Sequence, residues 1–169
     1  MAKRIRSCKC QTGFLMLFLL FLIASLGVAM AALGTLWHTQ AQREKEAELL
    51  FIGDQYRQAI ERYYRLTPGT AKQYPPSFDV LLLDPRFPTT VRHLRRLYRD
   101  PITGSEQWGL EKTADGGISG VHSLSDKEPR KKSGFSAVYA DFEGKTKYAD
   151  WIFKAMPLED AANAGARAR

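Results

Sequence analysis

From Gly13 to Trp37 the chain runs 25 residues without a charged side chain. As a helix this run would measure ~37 Å, enough for a hydrocarbon core of ~30 Å. No second run approaches the ~18 apolar residues a crossing needs, so a multi-span membrane protein is excluded. The mean hydropathy of −0.32 averages over this division and hides it. Lys3, Arg4, Arg6 and Lys9 precede the run with no acid among them, and supply four of the seven net positive charges. Beyond it, Arg43 and Lys45 alternate with Glu44, Glu46 and Glu48. This bias predicts a cytoplasmic N-terminus and an exported remainder. Cys8 and Cys10 then lie on the reducing side and no disulfide framework exists outside. Two thiols without a nearby histidine make a poor metal site, so plain or lipid-modifiable thiols are expected. The pI near 9.5 owes much to the leader and does not argue for nucleic acid.

The run is compatible with a secretory signal cut at Ala29-Met30-Ala31, or with an uncleaved anchor. The next thirty residues bear on the choice. Residues 38–47 contain no proline or glycine, and Leu49, Ile52, Tyr56, Ala59, Tyr63 and Leu66 then recur at steps of three and four. Asp54, Arg57, Glu61 and Arg65 take the other side, so an amphipathic helix is predicted. Gly53 weakens it by ~1 kcal/mol relative to alanine, and Pro68-Gly69 ends it. A linker would show Gly, Ser or Pro between residues 35 and 50, so one helix of ~80 Å from Phe14 to Leu66 is expected. A globular head is expected on its Leu49/Ile52/Tyr56/Ala59/Tyr63 face. Ala24, Gly27, Ala31 and Gly34 form a small-residue stripe in the apolar half, which either lets helices approach closely or is simply tolerated there.

The expected organisation is a basic leader over 1–13, an apolar helical half over 14–37, an amphipathic half over 38–66, an α+β head over 67–157 and a disordered tail over 158–169. Within the head, Tyr74-Pro75-Pro76 is rigid and Phe78–Leu83 suits one or two helical turns. Val91–Arg99 is expected as a second short helix, with Arg92, Arg95, Arg96 and Arg99 on one face and Val91, Leu94 and Tyr98 on the other. Asp100-Pro101 stops it. Strands are expected at Gln107–Thr113 and Ile118–Leu124, joined by a turn with Asp115-Gly116. Ser125–Gly134 is a charged loop, and Lys147–Ala155 alternates as a third strand.

His38, His93 and His122 share no metal-ligand spacing, and no nucleophile elbow, P-loop or dinucleotide fingerprint occurs. An enzyme is not expected, nor is a cofactor. The arginine face 92/95/96/99 is best read as solvated or as salt-bridging to a partner, with Asp84 and Asp100 flanking it. Lacking aromatic stacking partners, it is a weak nucleic-acid signature.

Gln11-Thr12-Gly13-Phe14, after a short basic leader and before a long apolar helix that outruns the membrane, resembles the processing site of type IV pilins and type II secretion pseudopilins. Tyr98–Gly104 ahead of Trp108-Gly109-Leu110 is similar to the turn entering the first strand of major pseudopilins, and Gly117–Ser123 to the strand after it. The resemblance covers residues 11–66 and, more loosely, 98–125. It implies a pilin-like α+β fold, with a long helix packed on a three-stranded antiparallel sheet. It implies a single-pass protein of a bacterial inner membrane with a periplasmic head. A prepilin peptidase would cut after Gly13 and methylate Phe14. Partners would be the membrane, other pilin-like subunits and secretion machinery. Major members bind calcium after these strands, and here Asp126 and Glu128 could supply oxygens. Arg130, Lys131 and Lys132 crowd the same loop and would repel a dication. Major members also carry glutamate four residues after the cleavage-site phenylalanine, where this chain has Phe18. A carboxylate there costs ~2.5–3.5 kcal/mol on insertion scales, so its absence is informative and leans toward a minor or tip subunit. The alternative is a signal-anchored periplasmic binding or tethering module that does not polymerise.

Overall fold

The computed structural model describes residues 12–156. The first eleven residues of the leader, with both cysteines, and the tail expected over 158–169 lie outside the described residues. The chain divides into two compact units between Ala41 and Gln42. Helix α1, Thr12–Arg65, is unbroken, and nothing in residues 35–52 would interrupt its ladder. Arg62 and Arg65 occupy its last turn, where cations complement the helix dipole. In the first unit Phe14, Phe18 and Phe21 are exposed, as are the other described apolar side chains of 14–28. Among the described residues no helix is long and apolar enough to cross a membrane.

The second unit is α+β. After α1 come α2 (Asp79–Leu82), β1 (Gly109–Lys112), β2 (Ile118–His122), 3-10 turns at Ala137–Phe142 and Tyr148–Asp150, and β3 (Phe153–Lys154). The sheet is antiparallel in the order β1-β2-β3. Leu110 pairs with Val121, and Val121 with Phe153. The β1–β2 turn closes on Gly116, whose φ of 81° is the left-handed conformation the Asp-Gly pair supplies without strain. Leu49, Ile52, Tyr56, Ala59, Ile60 and Tyr63 of α1 share one core with Leu81, Trp108, Val121, Tyr148, Trp151 and Phe153.

Two expected elements differ. Residues 91–99 are not a helix but an irregular segment with bends at residues 93, 95 and 96. Its backbone is engaged elsewhere: the N–H groups of His93 and Leu94 donate to the carbonyl of Leu81, and Val91 accepts from Asp84 N–H. Four arginines at helical spacings would also repel one another along a helix face. The third strand is only Phe153–Lys154, because residues 148–150 turn as a 3-10 segment whose Tyr148 and Ala149 N–H groups donate to Lys127 and Ser125.

Candidate functional site

On α1, Leu49 and Tyr56 are fully buried, and Ile52, Ala59 and Tyr63 nearly so. Tyr56 carries a polar contact at its tip. Its hydroxyl accepts from Tyr98 N–H at 3.0 Å and donates to Tyr98 C=O at 3.3 Å, while Trp108 Nε1 donates to the same carbonyl at 2.9 Å. Glu46, in sequence one of the mixed charges beyond the apolar run, is buried. Its carboxylate accepts from the Tyr148 hydroxyl at 2.7 Å and from Arg130 N–H, and Gln42 Nε2 donates to Tyr148 at 2.9 Å. Burial, reinforced by the facing Glu46, pushes the Tyr148 phenol up to about 12. Glu46 lies one helical step before Leu49 on the apolar stripe, and that spacing is the signal that could have found it.

A second cluster joins the end of α1 to the loop after α2. Asp84 has no exposed side-chain surface. Its carboxylate accepts from Arg86 Nε at 2.8 Å and Nη2 at 2.6 Å, and from His93 Nε2 at 2.9 Å. Carboxylate oxygens only accept, so Nε2 of His93 carries the proton. The Arg86 guanidinium lies 3.5 Å over the Tyr63 ring and also reaches Thr67 Oγ1 at 2.7 Å. The Arg86 hydrogen bonds, with help from His93, hold the Asp84 carboxyl well below the usual carboxylate range. Among the described residues, His93 Nδ1 is buried without a partner. Only the isolated histidine was visible in the sequence; its pairing across nine residues was not.

The four arginines expected on one face are separated. Arg99 pairs with Glu106 at 3.0 Å, and Arg96 lies 5.1 Å over the Tyr98 ring. Arg92 and Arg95, exposed on either side of the buried His93-Leu94, border a hollow with Gln55, Gln58, Ala59 and Arg62 of α1. Asp84 and Asp100, which flank these arginines in sequence, have other partners. Asp84 serves Arg86, and Asp100 accepts from Ile102 N–H, Thr103 Oγ1 and, at 2.6 Å, Ser123 Oγ. That last bond ties the loop before β1 to the end of β2.

Among the described residues, no group of three or more His, Cys, Asp or Glu is placed to hold a metal ion. Asp126 and Glu128 are each bridged to a lysine, Lys147 at 2.8 Å and Lys132 at 2.7 Å. In α1, Phe14 and Ala24 are exposed and Gly27 faces open space. The surroundings of Gly13, Ala31 and Gly34 lie outside the described residues. No family model, curated protein or solved structure matches the chain.

Proposed function

We propose that the chain is a pilin-like subunit of a type II secretion or type IV pilus-like assembly in a bacterial inner membrane, with a periplasmic head. It works by subunit packing and not by catalysis. One observation carries the reading: the uncharged run belongs to a helix that continues unbroken to Arg65. A plain anchor needs no such continuation, whereas an assembly subunit uses it as the spine on which an α+β head is built. The basic leader and the Gly13-Phe14 junction add a processing site for a prepilin peptidase. Its cut would remove Lys3, Arg4, Arg6 and Lys9, the charges that hold the N-terminus in the cytoplasm.

Phe18 favours a minor or tip position, and it equally suits a second reading, a signal-anchored tethering module that acts as a monomer. Intact-mass and N-terminal peptide analysis of the membrane-extracted protein separates these. A chain beginning at N-methylated Phe14 is expected. One beginning at Ala32 would make it a secreted protein, and one retaining residues 1–13 would leave a plain anchor. Crosslinking through residues 14–40 should then capture homo- or hetero-oligomers, and its failure on the processed protein would sink the assembly reading.

A further inference from the structure

The hollow between α1 and residues 92–95 has a volume of about 580 Å³, and among the described residues no carboxylate lines it. Three guanidinium groups border it, those of Arg62, Arg92 and Arg95, with the amides of Gln55 and Gln58 beside them. None of the three has a hydrogen bond, ion pair or ring contact among the described residues. The nearest acids on α1 are already committed. Asp54 accepts from Arg57, Gln58 and Tyr139, and Glu61 pairs with Arg57 and Arg65. The remaining arginines of the segment contrast with these, since Arg99 has Glu106 and Arg96 has a ring. The cations are brought together by the fold and not by a run of sequence. Burial of His93 and Leu94 on the Leu81 carbonyl leaves the side chains on either side exposed beside α1.

We propose that this hollow binds an acidic segment of another protein, presenting two or three carboxylates to Arg62, Arg92 and Arg95. Guanidinium forks match carboxylates bidentately. All three arginines are exposed, and an exposed ion pair contributes ~0–1 kcal/mol, so a single small anion gains little here. A segment carrying several carboxylates engages all three after one loss of freedom. The Gln55 amide can meet its peptide groups, while the Gln58 amide already donates to Asp54. No aromatic ring other than the buried His93 imidazole lines the hollow, so bases have no exposed platform to stack on, which disfavours a nucleic acid. The inference goes beyond the assembly reading and does not rest on it, because the hollow is built from residues 55–95 alone.

The test is calorimetric titration of the full, detergent-extracted chain with hexaglutamate, inorganic pyrophosphate and a single-stranded oligonucleotide. Hexaglutamate should bind in low salt and weaken as salt rises. The R62Q/R92Q/R95Q variant should lose about ten-fold or more in affinity, while R96Q/R99Q stays within about two-fold. Should the triple variant not fold, R92Q and R95Q singly read the same question. Undiminished hexaglutamate binding in the 62/92/95 variants would overturn the proposal, as would no binding by the native chain. So would pyrophosphate or the oligonucleotide binding as tightly as hexaglutamate through these arginines. Because the readout ignores N-terminal processing, its failure leaves the maturation test untouched.

Discussion

Asp84 makes the case for looking past residue type to surroundings. In sequence it precedes a proline and looks like a loop acid; in the fold it is sealed under Arg86 and His93. A carboxyl whose folded pKa lies below its ordinary 3.8 stabilises the native state fully above that range. The contribution is lost as pH falls below it toward the folded value. Thermal melting followed from about pH 5 to about pH 2 should therefore show falling Tm, with Asp84 supplying part of the slope. Asp84→Asn should lower Tm near neutrality and flatten the acid slope. An equally steep slope in the variant would assign the acid response to other groups. Removing one partner of a buried pair costs about 3–5 kcal/mol, which sets the expected order of the loss for Asp84→Ala in denaturant. None of this was legible in sequence, because periodicity reports which side chains are apolar and not which polar ones meet.

Elements were legible in proportion to how far their own backbone settles them. α1 follows from its stripe, and the β1–β2 hairpin follows from Asp115-Gly116. Residues 91–99 depart from the helix their spacing suggests: Val91, Leu94 and Tyr98 fit a helical period, but the competing bonds to Leu81 and Asp84 come from a segment that spacing cannot see. The grouping of the arginines is hidden for the same reason, since Arg62 joins Arg92 and Arg95 only through the fold. Gly53 shows the reverse error, for it reads as a flaw in the helix and is instead a seat. A Cβ there would lie 2.5 Å from the Phe153 ring, so the glycine lets β3 close on α1. Gly53→Ala gains ~1 kcal/mol of helix propensity but must displace a buried ring, at about 1–3 kcal/mol. Net destabilisation and a lower urea midpoint are expected. A higher midpoint would mean that the ring moves aside freely.

At the scale of the whole molecule, the head has one core, and Tyr56 stands at its centre, touching Phe78 at 5.1 Å and Trp108 at 5.3 Å between ring centroids. A carboxylate there would be buried without a cation, costing several kcal/mol against a domain stability of ~5–15 kcal/mol. Tyr56→Asp should abolish the cooperative thermal transition of the head. An unchanged transition would refute its packing on α1.

The seat at Gly53 also sets an order of events during synthesis. The face of α1 from Leu49 to Tyr63 is complete long before Phe153, roughly 90 residues after Tyr63, has been made. At ~5–20 residues per second that gap lasts roughly 5–20 s. For nearly all of it the stripe has neither Tyr148 nor Trp151 nor Phe153 to cover it. A nascent chain in that condition keeps part of its apolar ridge uncovered until the last strand arrives.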